Sequence, residues 1–181
     1  MRRLSARGAV NAVPEICSAY RPYGQRCGEL RPTGSAPGSA SVANSLPKPD
    51  WYAGATTITP NRTEAVTAAG VSLPPDAPAD AYGPLAKELV KRLDLECAVI
   101  TLDKHGALLV ERSGRARAVP TVARQVYDVT GAGDMVLAAL AGARANGIGW
   151  FDAVRFANAA AGLEVEVFGV VPMPIERIHR E

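Results

Sequence analysis

The chain has 181 residues, 48% of them hydrophobic, which is enough for one domain with a sizeable core. Its net charge of +2 is uneven: residues 1–50 carry seven Lys/Arg against three acids, so the rest is slightly acidic and lacks the basic surface of a nucleic-acid binder. Three cysteines without a Cys-x-x-Cys pair indicate neither a zinc site nor a disulfide framework and fit a reducing cytoplasm, and no apolar stretch is long enough to span a membrane.

Residues 1–50 show neither helical nor strand periodicity. They are rich in Arg, Ser, Gly, Pro and Ala, as in Arg31-Pro-Thr-Gly-Ser-Ala-Pro-Gly-Ser39. Such a segment buries too little apolar surface to offset its ordering entropy, so a disordered or irregular basic segment is expected. It lacks the apolar core of a secretory signal, and its Arg-rich, acid-poor start faintly resembles an organelle transit peptide. From Trp51 the pattern changes, and residues 51–181 are expected to form the globular part.

Ala55–Thr59 is predicted as a short strand ended by Pro60-Asn61, and Arg62–Ala69 as a short helix. After a Pro/Asp/Ala loop from Leu73 to about Ala81, Pro84–Leu93 places Leu85, Leu89, Val90 and Leu93 on one helical face. Ala98–Leu102 is a continuous apolar run, typical of a buried parallel strand. Lys104-His105-Gly106 is a turn, after which Ala107–Val110 returns as a strand. Arg115–Val119 and Val122–Tyr127 are further candidate strands. Gly133–Ala145 is a helix ending at Gly147, and Asp152 to about Val167 is a second, alanine-rich one. Strands separated by helices predict an α/β domain with a largely parallel sheet.

Four motifs carry candidate chemistry. Asp128-Val-Thr-Gly-Ala-Gly-Asp134 lies between an apolar run and a long helix. Its glycines let a tight turn bring N–H groups to an anion, and the helix dipole adds positive potential there. Asp134 adds a carboxylate, which suits deprotonation of a hydroxyl beside a phosphate. An ordinary strand-to-helix turn with Asp134 serving the dipole is the plain alternative. A dinucleotide fingerprint fits poorly, because Val136 replaces the third glycine and no strand with a terminal acid follows.

Thr59-Pro-Asn-Arg-Thr-Glu64 follows a strand, at the edge where open α/β sheets bind ligands. Glu64 can organise water around Mg²⁺ there, or form a reciprocal helix cap with Asn61; the two roles are compatible. Thr101-Leu-Asp-Lys-His-Gly106 can line a phosphate or ribose, or be a simple turn with His105 in solvent. Phe156-Ala-Asn-Ala-Ala-Ala-Gly162 allows close packing, and Asn158, its only strongly polar residue, can border a base pocket.

Together these residues resemble the C-terminal half of the ribokinase/PfkB-type carbohydrate kinases, over roughly Tyr52–Pro174 and in the same order. Within that family, Thr59-Pro-Asn61, Val126–Thr130 and Phe156–Gly162 look most like the heptose-7-phosphate kinase domain of bacterial ADP-heptose synthesis. The resemblance implies a ribokinase-like fold whose N-terminal half and small β-sheet lid are missing. It implies ATP-dependent phosphorylation of a sugar or sugar phosphate, with Asp134 as base and the N–H groups of Gly131, Ala132 and Gly133 as an anion hole. By the same resemblance Asn61 and Glu64 act through Mg²⁺, with Glu64 reaching the metal through water. Thr101, Asp103, Gly106 and Asn158 lie along the ATP site, and Asp128 and Thr130 match a monovalent-cation (K⁺) site. Asp103 stands where many relatives carry a small residue, and Met135 where many carry an aromatic one. The implied partners are ATP and a small sugar or sugar phosphate, with a homodimer as the expected assembly, and the missing half is expected to leave apolar faces of the sheet exposed, which favours self-association. A non-catalytic ATP-binding remnant and a kinase for fructose or ribose are the alternative readings.

Overall fold

A buried apolar run becomes the centre of a sheet with five strands among the described residues. In the computed structural model, strand β3 (Cys97–Thr101) has parallel neighbours on one side, β2 (Thr57–Ile58) and β1 (Val42–Ala43). On its other side are antiparallel neighbours, β4 (Ala107–Glu111) and β5 (Ala116–Val119). The structure describes residues 42–43, 49–121, 129, 131–167 and 173–178. The candidate strand Val122–Tyr127, together with Asp128, Thr130 and most of residues 1–50, lies outside the described residues.

The α/β architecture agrees with the sequence pattern, but the sheet is mixed rather than largely parallel. A parallel return needs a crossover of a dozen residues or more, and only Leu102–Gly106 separates β3 from β4, so the chain turns back on itself. β1 falls inside the segment expected to be irregular; two residues near its end pair with Thr57 and Ile58 and add an edge strand.

Both sheet faces are covered. Alternate residues of β3 and β4 point to opposite sides. Ala98, Ile100, Leu108 and Val110 meet helices α1 (Arg62–Ala69) and α2 (Gly83–Arg92), which contribute Ala65, Leu85 and Leu89. Val99, Leu109 and Val119 meet α3 (Ala132–Ala145) and α4 (Trp150–Glu164), which contribute Val136, Leu140, Ala153 and Ala157. Each fully buried Val, Leu or Ile is worth about 1.5–3 kcal/mol of transfer free energy, which is why the central strands carry no polar face. Cys97 sits at the start of β3 against the Thr57 hydroxyl at 3.2 Å; burial pushes its thiol up to about 12, so it is an inert core residue. A short helix, α5 (Ile175–Ile178), packs against the end of α4.

Gly106 closes the β3–β4 turn at φ 86°. A Cβ there would overlap the Val119 carbonyl oxygen and come within 2.7 Å of Thr121 N. Both the left-handed backbone and the backbone contact demand glycine. Gly106→Ala is expected to destabilise the chain by about 3 kcal/mol or more, measured as a lowered urea midpoint with an unchanged m-value.

Candidate functional site at the carboxyl edge of the sheet

Strand register brings three of the four motifs into one row. Asn61 forms a parallel bridge to Thr101, Thr101 pairs with Ala107, and Ala107 pairs with Val119. The row lies at the carboxyl ends of β2, β3 and β5, the edge at which open α/β sheets bind ligands. It ends on α4, where the Asn158 Nδ2 amide donates to the Val119 carbonyl at 2.9 Å. Asn158 is thus first of all a clamp between helix and sheet, in a position that also borders this edge.

Asn61 and Glu64 do form the reciprocal cap. The Glu64 N–H donates to Asn61 Oδ1 and the Asn61 N–H donates to Glu64 Oε2, both at 2.9 Å. The cap uses one oxygen of the Glu64 carboxylate and leaves the second for another partner. The Thr101 N–H donates to the Pro60 carbonyl at 3.0 Å, which fixes the capped helix start beside the end of β3.

The Thr101–Gly106 segment is a single 3-10 turn over Asp103–His105, held by the Leu102 N–H to Gly106 O at 2.7 Å and the Gly106 N–H to Asp103 O at 3.1 Å. Asp103 takes φ 53°, and His105 is exposed, as a solvated turn residue should be. Arg62, in the first turn of α1, donates from Nε to Asp103 Oδ2 at 3.1 Å.

Gly131 is the N-cap of α3 at φ 88°, a conformation that favours glycine. Having no side chain, it offers no oxygen to the first-turn N–H groups of α3, the groups a helix leaves unpaired within itself. Gly133 and Asp134 are exposed, and Ala132 is half-buried. Met135, next in sequence, packs against Ala160 and Leu163, so the glycine turn lies beside the last turn of α4. From Asn158 to Glu164 the helix rises about 9 Å, which carries it from the sheet edge to the glycine turn.

Glu164 is buried there, 2% exposed, with Oε2 lacking a hydrogen-bond partner among the described residues. Burial raises its pKa above the ordinary glutamate value, and the negative charge of Asp134 raises it further. Neither Arg62 nor Glu164 belongs to the motifs' functional positions, yet both left a signal in the sequence. Arg62 is a cation in a helix's first turn and Glu164 an anion in a helix's last turn, each opposed to the helix dipole. Such placements need tertiary partners or a function.

Among the described residues, no three His, Cys, Asp or Glu side chains gather as a metal site, and no helix is long and apolar enough to cross a membrane. Asp128 and Thr130, the expected monovalent-cation residues, lie outside the described residues.

The Glu164 environment sets a pH dependence. Its folded-state pKa is raised, so its contribution to stability is complete below the unfolded glutamate value of 4.5 and is lost as pH rises through the folded value. Glu164→Gln is therefore expected to raise the melting temperature at neutral pH and to flatten its decline above pH 4.5. Each kcal/mol recovered is worth about 2–4 °C in a chain of this size. Thermal melts of both proteins across the acid range check this; equal slopes would contradict it.

The sequence pattern of the pfkB family of carbohydrate kinases matches residues 38–176. The chain is 45% identical over 118 residues to bifunctional protein HldE of Geobacter sulfurreducens, covering 65% of this chain and 24% of that protein. Against bifunctional protein HldE of Nitratiruptor sp. it is 42% identical over 134 residues, covering 73% and 28%. The matched part thus spans about a quarter of the length of these curated relatives. Among solved structures, Arabidopsis thaliana ribokinase complexed with ribose and ATP superposes at a TM-score of 0.68 with 25% identity, over 79% of this chain and 47% of that one. Phosphofructokinase-2 from Escherichia coli in complex with potassium superposes at 0.68 with 20% identity, over 77% and 45%, a likeness of fold alone. With most of its length inside the family match and its sheet and helices superposing on ribokinase, the chain belongs to the pfkB family of carbohydrate kinases and has a ribokinase-like α/β fold.

Proposed function

We propose that this chain supplies the nucleotide-binding half of an ATP-dependent kinase acting on a sugar or sugar phosphate, with heptose 7-phosphate as the first candidate substrate. One observation carries the reading: a glycine-capped helix start bearing Asp134, in a chain that belongs to a carbohydrate kinase family. The 45% identity to bifunctional protein HldE supports the choice of a heptose phosphate over fructose or ribose. The cytoplasm, where ATP and sugar phosphates meet, is the compartment proposed for it.

In this reading Asp134 accepts the proton of the acceptor hydroxyl. The hydroxyl oxygen then bonds to the γ-phosphorus as the bond to the ADP oxygen breaks. The N–H groups of Gly131, Ala132 and Gly133 receive negative charge on the transferring group, a task suited to fixed backbone dipoles. Thr101, Asp103, Gly106 and Asn158 border the nucleotide along the sheet edge.

Asn61 and Glu64 offer only oxygen donors, the type Mg²⁺ takes, and the second Glu64 oxygen suits a metal-bound water. With no cluster of three ligating side chains among the described residues, the protein would hold Mg²⁺ through few direct bonds, as is usual when phosphates supply the rest. When bound, Mg²⁺ neutralises phosphate charge. Asp128 and Thr130 are proposed to hold K⁺, and a homodimer is the proposed assembly.

Asp134→Asn is expected to lower phosphoryl transfer by about 10²–10⁴-fold, the usual worth of a general base, while ATP·Mg²⁺ still raises the melting temperature. The amide keeps the shape and cannot take the proton. An unchanged turnover would remove Asp134 from the base role.

The chain by itself is expected to be a slow kinase. It aligns with about half of ribokinase, so whatever the other half does to hold the sugar is not supplied by these residues. Positioning contributes roughly 7–11 kcal/mol to such reactions. A steady-state assay of the purified chain with heptose 7-phosphate, fructose and ribose should give turnover far below the ordinary range of about 1–10³ per second. A rate within that range would establish a complete enzyme; ATP·Mg²⁺ stabilisation without any turnover would favour a non-catalytic remnant.

A further inference from the structure

Arg62 lies between the two members of the helix cap, with only 12% of its side chain exposed. Its guanidinium joins three segments. Nε donates to Asp103 Oδ2 at 3.1 Å, Nη1 to the Ala77 carbonyl at 2.8 Å and the Tyr82 hydroxyl at 3.3 Å, and Nη2 to the Leu102 carbonyl at 3.3 Å. The group also stands over the Tyr82 ring, 5.3 Å from its centroid. Its partner Asp103 is 74% exposed and sits in the left-handed region, so the carboxylate faces outward at the carboxyl edge of the sheet.

That edge is an awkward place for an acid if a polyphosphate binds along it. A bare carboxylate there repels the ligand, and a cation held against it removes most of the repulsion. A lysine could neutralise the charge, but it could not make four directed hydrogen bonds to a turn, a loop and a tyrosine, as the planar arginine fork does.

We propose that Arg62 is a positioning residue whose pairing with Asp103 latches the Leu102–Gly106 turn to the capped start of α1 and withholds the Asp103 charge from a nucleoside triphosphate. The electrostatic half of this proposal rests on the nucleotide reading above; the mechanical half does not. A merely structural arginine would be missed equally with or without Asp103. The latch predicts that Asp103 does harm once Arg62 is gone.

The test uses the full chain and calorimetric titration with ATP·Mg²⁺. Arg62→Met, which keeps the apolar stem, is expected to weaken binding about tenfold, and adding Asp103→Asn to restore most of it. A double variant as weak as the single one, or a single variant that binds like the parent, overturns the electrostatic half. Should Arg62→Met fail to fold, Arg62→Lys is compared with the parent: binding is retained, but the His105 and Gly106 amides exchange at least about tenfold faster. The same exchange measurement, without nucleotide, tests the latch even if the parent binds no ATP. In that case the nucleotide reading fails and the electrostatic half with it. Unchanged exchange in the variant overturns the mechanical half.

Discussion

The candidate site depends on one row of main-chain pairing. Asn61, Thr101, Ala107 and Val119 stand side by side across the carboxyl edge, and Asn158 ends the row by donating to the Val119 carbonyl. Side chains alternate along a strand, so a slip of one residue in β3 or β5 would exchange the residues facing the two helix layers. The burial of Ile100 on one face and Val99 on the other forbids that slip. Core packing therefore sets the register, and the register sets which polar residues meet at the edge. Gly106 belongs to the same constraint, because the turn it closes lies against the backbone of Val119–Thr121 with no room for a side chain.

Charge is arranged around this edge in a way that local helix electrostatics does not favour. Arg62 opposes the dipole at the start of α1, and Glu164 opposes it at the end of α4. Arg62 offsets its placement with hydrogen bonds to three neighbouring segments and an aromatic ring. Glu164 does not: one oxygen is buried without a hydrogen bond among the described residues. At this helix junction, burial first and the neighbouring Asp134 charge second disfavour the ionised form of Glu164. Asp134 itself is exposed in the first turn of α3.

The sheet carries a separate apolar cluster on each face, so the part that superposes on about half of ribokinase has its own core. Rigid elements hold the polar edge. In the proposed reading, holding a sugar acceptor in line with that edge is a distinct problem in positioning, so binding a phosphate chain and transferring it are separable properties.

Much of this was legible in the residues. The bounds of α1 were read as Arg62–Ala69 behind the Asn61 cap, and the apolar run read as a strand over Ala98–Leu102 forms β3 one residue earlier. Local chemistry suffices for such elements, since caps and buried strands write their requirements into neighbouring residues. The family was legible too, because a glycine turn, a cap and an asparagine helix stand in the same order as in the carbohydrate kinases that the chain resembles. Three things were settled by the tertiary structure. The antiparallel return of β3 into β4 and β5 came from a connection too short for a crossover, although the apolar run by itself suited a parallel strand. The pairing of Arg62 with Asp103, and the burial of Glu164 beside the start of α3, join residues far apart in sequence or on different elements. Hydrophobic periodicity records which face of an element is buried. It does not record which charged side chain the fold will set opposite another, because that depends on how whole elements pack.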